Sequence, residues 1–136
     1  MSHYSKIQTQ IVERDALVKA LQEMGYAKVE VHASPQHLYG YQGDRRPEQA
    51  EVIVRRKDIS PMSNDIGFRR GADGTYEAIV SEYDQEILGS DWVGRVNQKY
   101  AEHAMVAKLE AQGFEIAERT VDKATNKVHL VLRRGS

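Results

Sequence analysis

The sequence contains no cysteine. That excludes a disulfide framework and any thiolate metal site, and it fits a reducing cytoplasm. No apolar run approaches the roughly 20 residues that cross a bilayer, so no membrane span is expected. Residues 1–6 carry no apolar core of the kind that marks a secretory leader. An excess of one charge is missing too. Nineteen basic residues stand against 20 acidic ones, for a formal net charge of −1, which makes a dedicated nucleic-acid binder an unlikely reading. Proline occurs three times, each time in a stretch that reads as turn or loop. There is no nucleophile motif, P-loop, dinucleotide glycine fingerprint or zinc-protease helix, so no catalytic residue, metal site or cofactor is expected.

What is present points to one domain over residues 1–136, long enough to bury a core without cross-links. One stretch occurs twice. Ala16, Leu17, Val18, Leu21, Gly25 and Tyr26 match Ala104, Met105, Val106, Leu109, Gly113 and Phe114 at a constant offset. Each copy reads as the end of a helix, a glycine stop with positive φ, an aromatic and then a strand. Two helix–strand units on one sheet would give this pattern, and so would chance, because such junctions are common.

Alternation predicts a first strand over residues 4–11, with Ile7 and Ile11 on one side. A helix follows to Met24, its stripe made by Leu17, Leu21 and Met24. Strands are predicted over 27–32 and 37–42, separated by a turn at Ala33, Ser34 and Pro35. Residues 43–47 read as a loop and 50–57 as a strand apolar on both faces, hence internal. After a loop over 58–65, strands 66–70 and 75–81 flank Asp73–Gly74, a strong hairpin signal. A second helix should run from about Asp91 to Gln112, with Ser90 as its cap. Residues 114–121 and 127–134 close the chain as a hairpin. The fold class expected is α+β. It comprises a largely antiparallel sheet of six to eight strands with two helices, and the simplest plan is a ferredoxin-like core with inserted hairpins.

Charge is unevenly placed. Arg45, Arg46, Arg55, Arg56, Lys57, Arg69 and Arg70 precede an acidic stretch holding Asp73, Glu77, Glu82, Asp84, Glu86 and Asp91. Neighbouring strands pairing opposite charges would explain this; a basic patch for an anionic partner would also do so. Tyr39 and Tyr41 with Arg45, Arg46, Arg55, Arg69 and Arg70 make the candidate ligand-binding set. The arginines would hold phosphate and a tyrosine would stack a base, provided at least three arginines converge on one concavity. His32 and His37 could share a hairpin, but no third ligand has telling spacing. Glu77, Glu82 and Asp84 invite an acid–base reading, but Glu77 lies opposite Arg69 and Arg70 across the Asp73–Gly74 turn, and cross-strand pairing explains it without catalysis. The second helix carries two apolar lines, more than one sheet face covers. Trp92, Val93, Val96 and Tyr100 are therefore expected to remain partly exposed as an interface for a protein partner or a second copy.

With these residues in view, the chain resembles an uncharacterised conserved open-reading-frame family of cyanobacteria and red-algal plastids. The resemblance runs through Met1-Ser2-His3-Tyr4-Ser5-Lys6-Ile7-Gln8-Thr9, Tyr41-Gln42-Gly43-Asp44-Arg45, Asp65-Ile66-Gly67-Phe68-Arg69, Ala72-Asp73-Gly74-Thr75-Tyr76-Glu77, Gln98-Lys99-Tyr100-Ala101 and Gln112-Gly113-Phe114. It carries over no activity and no catalytic residue. It implies a soluble cytoplasmic or stromal protein, and bacterial members are often encoded near AAA+ ATPases. The function expected is therefore a non-enzymatic interaction or adaptor protein, with an AAA+ ATPase as a candidate partner. The alternative is a small module for a phosphate-bearing ligand.

Overall fold

A computed structural model describes residues 3–135. The opening Met1 and Ser2 of the family resemblance lie outside the described residues. The elements run β1 (Tyr4–Gln8), α1 (Arg14–Glu23), β2 (Val29–Tyr39), β3 (Arg45–Val54), β4 (Ile66–Arg70), β5 (Tyr76–Ser81), α2 (Glu82–Leu88), α3 (Trp92–Ala111), β6 (Phe114–Val121) and β7 (Val128–Arg134), with one 3₁₀ turn at Arg56–Asp58. The class is α+β. One antiparallel sheet has the order β1-β5-β4-β3-β2, and β6 pairs with β7 in a separate two-stranded sheet.

β1 and β2 point the same way at opposite edges, with α1 bridging them in sequence and three strands lying between them. A ferredoxin-like core is not confirmed by this order, because that plan splits the βαβ unit with a single strand. The β4–β5 hairpin occupies the extra space, turning at Gly74 with φ +88°. It pairs Phe68 with Ala78 and Arg70 with Tyr76, so Phe68 and Tyr76 lie diagonally on one face, as the Asp73–Gly74 signal implies.

Both glycine stops take positive φ, +106° at Gly25 and +92° at Gly113. At the end of α1 the Gly25 N–H donates to the Gln22 carbonyl and the Tyr26 N–H to the Leu21 carbonyl. This paired closure satisfies two carbonyls that the helix would leave open. Gly113 donates likewise to Glu110. Several local expectations shift: β1 ends at Gln8, β3 begins at Arg45 inside the expected loop, and it gives way to the 3₁₀ turn at Arg56. The chain does not turn at residues 33–35. β2 runs through Pro35 with its register to β3 slipping between Val31 and Gln36, which an edge strand tolerates because its outer side makes no ladder bonds. α2 was not expected. Ser81 caps it by accepting from the Asp84 N–H at 3.1 Å, and its hydroxyl donates to Asp84 Oδ2 at 2.7 Å. The cap of α3 is Asp91, one residue past Ser90, and it bonds through backbone alone.

The main core lies between one sheet face and the helices. Leu17 and Leu21 from α1 and Trp92 and Val96 from α3 meet Val52, Val54, Phe68, Tyr76 and Val80. Tyr26, next after the Gly25 stop, sets its ring edge-on to Trp92 at 6.1 Å and accepts from the indole N–H at 3.2 Å. On the reverse face Leu38 and Ala50 close over Gly67, with Ile53 and Ile79 alongside. A Cβ on Gly67 would stand 2.6 Å from that of Ala50, so only glycine lets these strands meet there.

Candidate interaction surface

The candidate phosphate ligands do not converge. Arg55 is held between carboxylates, with Nη2 at 2.9 Å from Glu30 and Nη1 at 2.8 Å from Asp65, and it stacks over Tyr39 at 5.8 Å. The Arg55 hydrogen bond holds the Glu30 carboxyl below its usual range. Asp65, almost fully buried, also accepts from the backbone N–H groups of Tyr39 and Arg56. Its backbone carbonyl accepts from the Tyr4 hydroxyl at 2.7 Å, and burial pushes that phenol's pKa upward. Arg46 sits over the Tyr4 ring at 5.3 Å and approaches Asp44 and Glu48 at 3.8 Å. Tyr41 fastens the same loop by donating its backbone N–H to Asn64 Oδ1.

These contacts lock residues 55–65 onto β2 and β3. The positive charge of Arg55 is matched there, and none of the five main clefts gathers three of the candidate arginines. Arg69 and Arg70 share one cleft with Lys6, Arg55 and Tyr39 share another with Arg56 and Lys57, and Arg45 stands exposed opposite Tyr39.

The other titratable candidates have structural partners. His32 bonds Glu30 at 2.8 Å, and His37 donates its Nδ1–H to the Arg46 carbonyl at 2.8 Å while Nε2 accepts from the Gln49 amide. Both lie on β2 rather than on two strands of a hairpin. Asp84 is fully buried at the start of α2, where Oδ2 also accepts from the Asn64 N–H. Glu77 faces Arg69 in register, on the solvated side expected of cross-strand charges. Among the described residues, no cluster of three or more histidine or acidic side chains is placed to hold a metal.

The expected interface on α3 is displaced. Trp92 and Val96 are core residues and Val93 is buried beside them, while Tyr100 is half-buried. The Tyr100 hydroxyl accepts from the N–H groups of Val12 and Glu13 at 3.1 and 3.0 Å, so it anchors the start of α1. These four residues are spoken for because the first half of α3 packs with α1 against the sheet, and the far end of α1 reaches the second half of α3 through Glu23 to His103. The two apolar lines of α3 thus serve in turn. The first is covered by the body at Val96, half-covered at Tyr100 and Ala104, and open at Ala107. The second reaches past it toward β6, where Val106 and Leu109 are half-buried.

Past Val96 the character of the chain changes. No described residue after it is buried. Half of the large apolar side chains that are exposed belong to this part: Met105, Val121, Val128, Val131 and Leu132, with Met105 at 56% and Val131 at 51%. The arm made by the end of α3 with β6 and β7 meets α1 through polar contacts at Glu23, which His103 approaches at 3.1 Å and Arg119 at 4.0 Å. Arg119 forks onto Glu102, with one arm of the fork at 2.8 Å, and this keeps the Glu102 carboxyl below its usual range. Beside that tie lies a cleft of about 520 Å³ lined by Met24, Arg95, Lys99, Val121 and Val128. A second cleft, about 530 Å³, runs between the start of α1 and the outer turns of α3, lined by Val12, Tyr100, Ala104, Ala107 and Lys108. The uncovered apolar surface lies on the other half of α3 and on the hairpin beyond it, and residues 128–132, apolar on both faces, are its signal in the sequence.

The family model described as "Protein of unknown function (DUF1257)" matches residues 20–131. The chain belongs to that family. It is 25% identical over 137 residues to "Uncharacterized protein ycf35" of Cyanophora paradoxa, and 23% identical over 139 residues to the protein of that name from Pyropia yezoensis. Each comparison covers 98% of both chains. No solved structure matches. No helix is long and apolar enough to cross a membrane.

Proposed function

We propose that this protein is a non-enzymatic adaptor that docks another protein through its C-terminal arm, in the cytoplasm or an equivalent reducing compartment. The observation that carries this reading is the contrast in burial along the chain. Residues up to Val96 include a continuous core, whereas the arm buries nothing and leaves Met105, Val131 and Leu132 in water. A hairpin and a helix end of this kind gain stability when a partner covers them. The groove between Val12 and Ala107, about 530 Å³ and lined also by Tyr100 and Ala104, offers an apolar seat of the kind an amphipathic helix of a partner uses. An AAA+ ATPase is the candidate partner that the family resemblance nominates. The pairing of Arg55 with Glu30 and Asp65 weighs against the phosphate-ligand alternative, because a matched guanidinium has little left to offer an anion.

Affinity purification of the tagged chain from its native organism, with mass spectrometry of co-purifying proteins and small molecules, tests this. The expected result is a protein partner retained by the wild type and lost by Met105→Lys with Ala107→Glu, while circular dichroism stays unchanged. Recovery of a nucleotide or other phosphate compound instead, with no partner sensitive to the arm, would reject the adaptor reading.

A further inference from the structure

Four strand edges are open in this fold, and three of them are guarded. β1 is five residues long with Lys6 at its centre. β2 carries Pro35 and two register breaks. β6 carries a bulge at Ala117, where its register to β7 slips between Ile116 and Glu118. Short strands, lysine, proline and bulges are the devices that keep an edge from pairing with another chain. β7 carries charge only in Arg133 and Arg134 at its end. Residues 128–132 read Val-His-Leu-Val-Leu, without proline, glycine, lysine or bulge.

The hydrogen bonding shows which atoms this edge offers. The Asp122 N–H donates to the Lys127 carbonyl and the Gly135 N–H to the Gly113 carbonyl. The odd-numbered residues of β7 are therefore the ones bonded to β6, and the backbone groups of Val128, Leu130, Leu132 and Arg134 point outward. An antiparallel strand centred on Val131 would pair Leu130 with Leu132 and Val128 with Arg134, using every outward group. Only a second β7 satisfies that register symmetrically.

We infer that two copies of this chain associate through β7, each edge pairing with its own equivalent to form a four-stranded antiparallel sheet. This rests on the reading of the arm as an association element and names an occupant for its edge. The two-fold axis passes through Val131 normal to the sheet, so both α3 helices stay on one face, and four strands under two helices replace two hairpins that each meet a single helix. The wider sheet covers apolar side chains that each hairpin alone leaves exposed. On the helix side Leu132 of one copy gains Leu130 of the other as a neighbour, with Ile116 already beside it in register. The charges fit. Arg133 brings Glu115 with it at 2.7 Å, Arg134 lies over its own Phe114 ring at 4.8 Å, and the centre of the joint is uncharged. Val131, half exposed in the single chain, meets Val131 of the other copy as a non-hydrogen-bonded pair, where Cβ atoms stand about 4.5–5.5 Å apart.

The full chain has no native cysteine, so one introduced thiol reports the axis without background. Val131→Cys under mild oxidation should convert to a disulfide-linked dimer nearly completely, whereas Ile87→Cys, exposed on α2, should convert at least tenfold more slowly. By light scattering at high micromolar concentration the wild type should show twice the 15.4 kDa chain mass. Val131→Lys should halve it, by setting two ammonium groups face to face, with circular dichroism unchanged. A monomeric wild type, a dimer that survives Val131→Lys, or equal cross-linking of the two cysteine variants would overturn the inference. The adaptor reading is separable, since a monomeric wild type that still captures an arm-dependent partner would leave it standing.

Discussion

The two helix–glycine–aromatic–strand units of this chain share a local design and meet different fates. In the first, the strand after Gly25 and Tyr26 enters a five-stranded sheet, and Tyr26 closes on Trp92. In the second, the strand after Gly113 and Phe114 finds only β7. The helix stop, the positive φ and the aromatic are the same. What differs is the apolar surface waiting for the strand. Local signals set an element, and the sheet available to it decides whether its side chains leave water.

That comparison is tested most severely at the core. Trp92→Ala should cost about 3–5 kcal/mol and threaten folding altogether, since a large buried ring leaves a cavity. Leu132→Ala, in the arm, should cost well under about 1 kcal/mol in the monomer, because the side chain is already 39% exposed. Equal losses in chemical denaturation would erase the distinction between the two regions. Next in size is Asp65→Ala. It removes the acceptor of Arg55 Nη1 and of two backbone N–H groups, while Glu30 still holds the guanidinium, and donors left without an acceptor cost about 1–3 kcal/mol. The same change should free residues 55–65, read as faster amide exchange there and unchanged exchange in the arm.

The glycines sharpen the point at smaller scale. Gly25→Ala should destabilise the whole molecule by about 1 kcal/mol, because the strain lies in the backbone angle and no neighbour is in the way. Gly113→Ala should carry similar strain yet show mainly as faster exchange of arm amides, with a smaller shift in the global melt. The least effect is expected from pH. The Glu30 and Glu102 carboxyls are both held low by arginine partners. Each contributes stability above the ordinary carboxylate pKa that is lost as pH falls through the depressed one. Glu30→Gln should therefore flatten the acid limb of the global unfolding curve slightly, and Glu102→Gln should affect only the attachment of the arm.

Much of the fold was legible. The alternation around Tyr76, Ala78 and Val80, the Asp73–Gly74 turn and both glycine stops each rest on one physical rule acting within a few residues. What escaped depended on neighbours distant in sequence. Pro35 reads as a turn until it is known to lie on an edge. Ser81 and Asp84 read as part of an acidic stretch until Asn64 is seen to complete their bonding. Trp92, Val93 and Val96 are a helix face like any other, and only the arrival of Tyr26, Phe68 and α1 assigns them to the core. The candidate arginines were misleading for a related reason. Their number is visible in the sequence, but the carboxylates that meet Arg55 come from residues 25 positions before it and 10 after it.

The pairing of β1 with β5 also sets an order of events in the making of the protein. Tyr4 lies opposite Ser81, so the first strand has no partner until nearly 80 residues more have left the ribosome, several seconds at about 5–20 residues per second. During that interval β1 and α1 wait while the β2-to-β5 meander assembles from near neighbours. The sheet can then close from its far end toward the N-terminal strand before most of α3 and the hairpin beyond it have left the ribosome. The arm is thus the last part to emerge, delivered onto a body whose sheet can already be complete.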